Sequence, residues 1–284
     1  MRRRERSAVW MVLPLYLFTL VFVAGPLIYV AALSFATPNQ GYGVTWSFTL
    51  ENYKRILEPV YLSTFAGSFK LALTSTFAIC LIGYPFGYFM AKSPENKKKH
   101  AMLFLMIPFW VNSLIRLYGW IIILQKKGIL NWFLKKAGLI QKPLSILYSY
   151  PAIVIGMVYV LLPFMALSVF SSAEKMDWSL VEAARDLGAS RFQAFWTVVF
   201  PLTLPGLLSG VILTFIPSMG LFFIADILGG NKIVLVGSLI QEQMTRGSNW
   251  AFASALAMVM MILTTLMILL YRRITNVKKL EGIG

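Results

Sequence analysis

Six apolar runs, at about residues 8–35, 65–91, 101–124, 150–172, 201–228 and 251–271, are each long enough to cross a bilayer, whose core of about 30 Å takes about 20 residues of helix. Runs of this kind leave the chain few ways to fold. In lipid every backbone N–H and C=O needs an internal partner, so only helices or a closed barrel span. A barrel requires alternating strands of about ten residues, and continuous apolar runs do not supply them. The expected fold is all-α: one polytopic membrane domain, residues 1–284, with six transmembrane helices. Only 13% of the residues are charged and 58% are hydrophobic, against about 25% charged in soluble domains.

The first run follows the basic segment MRRRERS, and the small residues of AALSFA near its end imitate a cleavage site. Its length exceeds the roughly 7–15 apolar residues of a signal h-region, so it reads as a retained span. Cys80 is the one cysteine and lies within the second run. It supports neither a disulfide framework nor a thiolate metal cluster and reads as a packing residue. His100, the one histidine, follows three lysines and reads as solvated.

An even number of spans places both termini on one side. Basic residues at 2–6, 92–99, 175–191 and 272–279 outnumber those of the opposite segments, which points to termini in the cytoplasm. The opposite side is not free of charge. QKKGILNWFLKKAGLIQKP, from Gln125 to Pro143, interleaves Ile129, Leu130, Trp132, Phe133 and Leu134 with lysines, the pattern of a cationic amphipathic helix at the outer headgroup level. The net charge of +15 therefore belongs to membrane orientation and lipid; no soluble basic face is left to bind nucleic acid.

Between the fourth and fifth runs lies a polar segment, 173–200. Ser179 and Glu182 stand as S-x-x-E, and Ser190 and Gln193 as S-x-x-Q, each the pattern of a capping box. The spacing predicts a helix starting near Leu180, ended by a left-handed Gly188, then a second helix entering the membrane at Pro201 and Pro205. Ala183 and Ala184 give the first helix a small-residue patch on which another backbone can approach. Local physics alone leaves a docking helix and a plain connector equally open.

The run Glu182, Ala183, Ala184, Gly188, Val198 and Pro201 resembles the cytoplasmic loop signature of permease subunits of binding-protein-dependent ABC importers, with Val198 where Ile is usual and Phe200 where Leu is usual. The resemblance implies a type I importer permease fold and a coupling helix seated in a groove of a cytoplasmic ATPase, with Ser179, Ser190 and Pro201 shaping the loop. It further implies a second permease subunit, two ATPase subunits that bind ATP and Mg, an extracytoplasmic solute-binding protein, and a bacterial inner-membrane location. No G-x-x-x-x-G-K-[ST] phosphate loop and no catalytic constellation occur in the chain, so it is expected to hold no cofactor and not to be the ATPase itself.

PFWVNSLIRLYGW, LLPFM and PSMGLFFIADILGG resemble the spermidine/putrescine type of these permeases, the first of their two membrane subunits. Related permeases carry ferric iron, sulfate or molybdate, so the cargo stays open. A polyamine path calls for carboxylates, aromatic faces and carbonyls. Asp226, beside Met219, Phe222 and Phe223, is the one acid well inside an apolar run, and such an acid is a functional candidate. It either lines the path or pairs with Arg116. Pro217 and Gly220 are expected to bend the fifth span and expose carbonyls. Trp110, Asn112 and Tyr118 are path candidates as well as candidates for belt or packing. A stand-alone secondary transporter is the rival reading; Asp226 and Arg116 alone are thin support for coupling-ion sites.

Overall fold

The computed structural model describes residues 13–39, 43–230 and 232–275. Arg2, Arg3, Arg4, Arg6, Lys278 and Lys279, on which part of the charge asymmetry rests, lie outside the described residues. The regular structure of the described residues is helical apart from one antiparallel hairpin, β1 (Thr37–Pro38) with β2 (Val44–Thr45), in which Thr37 faces Thr45. They divide into two compact units, Met1–Ser63 with Leu239–Met267, and Thr64–Ser238 with Ile268–Gly284.

In the first unit, α1 (Leu13–Ser34) turns Leu15, Phe18, Phe22 and Ile28 outward, as suits a helix that is apolar all round and set in lipid. Its end is tied to α2 (Glu51–Ile56). The buried Asn52 side chain donates to the carbonyls of Ser34 and Ala36 at 3.0 and 2.9 Å, satisfying acceptors that the helix end leaves free. Farther along, the Arg55 guanidinium lies 4.5 Å from the centroid of the buried Phe252 ring and 5.6 Å from that of Tyr61.

The second unit is built around α7 (Tyr150–Glu174). Against it pack α3 (Pro59–Lys92), whose residues from Thr64 onward belong here, and the long α9 (Arg191–Gly220). Close approach is made by glycine. A Cβ on Gly87 would stand 2.5 Å from the Ala166 carbonyl, and one on Gly210 would stand 2.5 Å from Met165 Sδ. Gly206 would strike Ser172 and the Ser168 carbonyl in the same way. Gly206 and Gly210 form a G-x-x-x-G pair, and in lipid such faces associate through backbone approach and dispersion, with no hydrophobic drive between helices. Leu71, Ile79, Ile153, Met157, Leu161 and Leu228 fill the core.

Among the described residues, five helices are long and apolar enough to cross a membrane: α1, α3, α7, α9 and α12 (Trp250–Thr275), the last over Trp250–Arg273. The third expected span, 101–124, is not one helix. It is α4 (Glu95–Met106) continued by a 3-10 turn at Ile107–Trp110, then α5 (Ser113–Leu124), with a bend of 98° between Glu95–Trp110 and Ser113–Lys136. Pro108 lacks an N–H for the helix, Val111 is extended, and Asn112 accepts from Leu114 N at 2.8 Å to start a new helix. Nor does the fifth expected span, 201–228, run unbroken. Leu221 leaves helical geometry at φ −78°, ψ 58°, and a short α10 (Phe222–Gly229) follows.

The expected amphipathic segment forms α6 (Ile129–Lys136), and α11 (Val236–Thr245) precedes α12.

Candidate functional site

The polar segment before α9 forms α8 (Ser179–Asp186), none of whose residues is buried. Glu182 and Ala183 are exposed, Ala184 is half-buried, and Leu187 is 90% exposed. Gly188 ends the helix at φ +91°. The Gly188 N–H donates to the Arg185 carbonyl at 2.9 Å and the Ala189 N–H to the Ala184 carbonyl at 3.0 Å, a Schellman closure that needs the left-handed residue in between.

At the start of α9 the expected capping box is present: Ser190 Oγ accepts from Gln193 N at 3.2 Å, and Gln193 Oε1 accepts from Ser190 N at 2.9 Å. The box expected at Ser179 is absent. Asp177 Oδ1 accepts from Ser179 N at 3.0 Å, and backbone bonding begins at the Asp177 carbonyl. The helix starts earlier than Ser179 would cap it, because an aspartate bonds its own chain two residues on and so organises the entry. Hydrogen bonds from Ser179 hold the Asp177 carboxyl below its ordinary value of 3.8.

From this loop an aromatic cluster leads to α3. Trp178 lies against Tyr88, Phe195 stands edge-on to both Tyr84 and Tyr88, and Tyr84 bonds Thr203 Oγ1 at 2.8 Å. Phe195–Val199 is a π-helical turn, and Pro201 follows one residue beyond it. Sequence reading missed these rings, since alternating aromatics beside a membrane run look the same whether they meet one another or lipid. At the rim of the cluster, Trp196 stands edge-on to Phe195 and Phe192 to Trp196, and the two remain 49% and 73% exposed.

The second group of candidates centres on α10. Asp226 accepts a hydrogen bond from Ser238 Oγ at 2.9 Å, and among the described residues no ion pair joins it to Arg116. Arg116 instead lies 5.6 Å from the Phe109 ring centroid and 5.5 Å from that of Tyr159, with Nε and Nη1 buried and lacking hydrogen-bond partners. The half-buried Phe222 and Phe223 share α10 with Asp226. Gly237 passes close behind the break, its missing Cβ being 3.0 Å from the Gly220 carbonyl. Met219 is 2% exposed and packs in the core. Asn112 uses its Oδ1 as a helix cap. Trp110 and Tyr118 face outward at 80% and 58% exposure. Ser238 was not legible: its bond to Asp226 spans twelve residues and a helix boundary. Among the described residues, no three His, Cys, Asp or Glu side chains gather to hold a metal ion.

A membrane bundle with broken spans, an acid beside one break and an exposed polar helix between two spans has the form of a permease. The chain belongs to the family of binding-protein-dependent transport system inner membrane components, whose model matches residues 83–276. It is 42% identical over 263 residues to the spermidine/putrescine transport system permease protein PotB of Escherichia coli, covering 92% of this chain and 96% of that one. The protein of the same name from Haemophilus influenzae is 40% identical over 259 residues, 91% of each. In fold the chain matches a bacterial ABC transporter that imports the acidic polysaccharide alginate, with a TM-score of 0.74 at 16% identity and 96% coverage of both chains. The chain is thus an inner-membrane transport permease with an essentially all-α, ABC-importer fold.

Proposed function

We propose that this chain carries spermidine or putrescine across the bacterial inner membrane as one of two permease subunits of an ATP-driven importer. The observation that carries the reading is the 42% identity to spermidine/putrescine permeases across 92% of the chain. In this reading both termini are cytoplasmic, a solute-binding protein delivers cargo from outside, and two separate ATPase subunits bind ATP and Mg. This chain needs no cofactor of its own. Closure of the ATPase dimer pushes α8; Glu182, Ala183 and Ala184 meet the ATPase, and Gly188 lets the loop turn back into α9.

The cation reading is supported by charge. Asp226 is not neutralised by Arg116, so its carboxylate can attract an ammonium group, with Phe222 and Phe223 on the same helix offering ring faces. An anion cargo would need Arg116, two of whose guanidinium nitrogens are buried in this chain. The test is ATP hydrolysis by the complete reconstituted complex, challenged with polyamines, ferric iron, sulfate and molybdate, each with its binding protein. Stimulation by polyamines alone is expected. Stimulation only by an anion overturns the cargo, and cargo uptake by the chain without an ATPase overturns the importer.

A further inference from the structure

We propose that α6 and its flanking lysines form a docking surface for anionic phospholipid, holding this end of α5 at the bilayer surface. The reading does not depend on the cargo.

The segment from Gln125 to Ser149 contains Lys126, Lys127, Lys135, Lys136 and Lys142 and no acid, the nearest carboxylates along the sequence being Glu95 and Glu174, and among the described residues none of the five lysines is in an ion pair. Two features tie α6 rigidly to the end of α5. Gly128 turns so tightly that a Cβ there would stand 2.5 Å from the carbonyls of Ile122 and Ile123. Asn131, 2% exposed, donates to the carbonyls of Gln125 and Leu144 and accepts from Leu144 N at 2.7 Å.

Rotation about this clasp decides which face looks out. The polar Asn131 points inward, while Ile129, Trp132 and Phe133 stand 62%, 60% and 61% exposed at helical spacing. A water-facing helix would turn the other way. Lys136 completes the stripe one turn on, its Nζ 4.9 Å from the Trp132 ring centroid. An apolar stem under an ammonium beside an indole is the arrangement of an interfacial residue, with the ring in the acyl boundary and the charge among phosphates. The charge excludes a neutral occupant as the best fit: each lysine near an anionic surface strengthens binding about fivefold. The apolar face alone does not discriminate lipid from protein; five lysines without a counter-acid select the phosphates.

The experiment places an environment-sensitive fluorophore at position 132, as Trp132→Cys in a Cys80→Ser background, in the full transporter reconstituted into phosphatidylcholine vesicles with or without 30% phosphatidylglycerol. Expected are blue-shifted emission, quenching by lipids brominated near the headgroup, and protection from iodide, all stronger with phosphatidylglycerol and weakened by 0.5 M salt. Unlabelled wild-type transporter should show uptake several-fold higher with phosphatidylglycerol, and replacing the five lysines by glutamine should abolish that difference while retaining uptake in phosphatidylcholine. Emission that is aqueous in both vesicles overturns the proposal. So does protection indifferent to phosphatidylglycerol and salt, which identifies another subunit on the face, or protection that arises only when the solute-binding protein is added.

Discussion

Ser238 Oγ stands 2.9 Å from Asp226 Oδ1 and donates a hydrogen bond to it, and among the described residues the carboxylate has no basic partner. The contact orients an acid beside the helix break at Leu221 without cancelling its charge. Asp226→Asn removes the charge and keeps the shape. It is expected to raise the KM for spermidine uptake about tenfold, equivalent to about 1.4 kcal/mol. Ser238→Ala removes only the orientation and is expected to cost about threefold, within the usual net worth of a hydrogen bond. Unchanged uptake by Asp226→Asn would remove this residue from the path.

The left-handed Gly188, at φ +91°, has open space around it, so a side chain there meets strain and not a clash. Gly188→Val is expected to cost the loop about 1–2 kcal/mol and to leave the protein in the membrane. Co-purification of the ATPase and ATP-driven uptake should both fall, as they should for Glu182→Ala. If both variants retain normal ATPase binding and uptake, α8 is a plain connector.

Where Gly210 meets Met165, the contact has no room for a side chain. Gly210→Leu forces α9 away from α7 and is expected to destabilise the bundle by about 1–3 kcal/mol, read as a lower melting temperature in detergent. The same change at Gly67, where a Cβ meets nothing within 4 Å, should leave the melting temperature nearly unaltered.

The entry of α8 should respond to pH through Asp177. Its folded-state pKa is depressed by the hydrogen bonds from Ser179. The cap therefore contributes fully above the ordinary value of 3.8 and is lost as pH falls through the lower, folded value. Amide exchange at residues 179–182, corrected for intrinsic rates, should show constant protection down to about pH 4 and declining protection below it. Asp177→Ala should weaken protection at neutral pH and flatten the dependence. An unchanged profile in that variant would show that the carboxylate does not cap.

Much of the molecule was legible because its information is local. Apolar length announces a span, S-x-x-Q at Ser190 announces a cap, and glycine followed by a polar turn announces a helix end. Local patterns misled where two signals competed for one role. Ser179 has the spacing of a capping box, yet Asp177, two residues earlier, accepts from the Ser179 N–H that Glu182 would have taken. Pro108 and Asn112 carried the signal for the bend in the third run, but apolar length outweighed them in the reading.

Sequence by itself determined that this chain is a helical membrane protein with a polar loop between its fourth and fifth apolar runs and no phosphate-binding loop, since hydrophobic length, caps and motifs act within a few residues of one another. Only the tertiary structure decided which charges meet. Asp226 found Ser238, Arg116 found Phe109 and Tyr159, and the pairing of the acid with the arginine that the sequence left open did not form. Such choices depend on how helices rotate and approach, as where Gly156 of α7 admits Leu117 of α5 and Ile224 and Leu228 of α10. No window of sequence contains both sides of that contact.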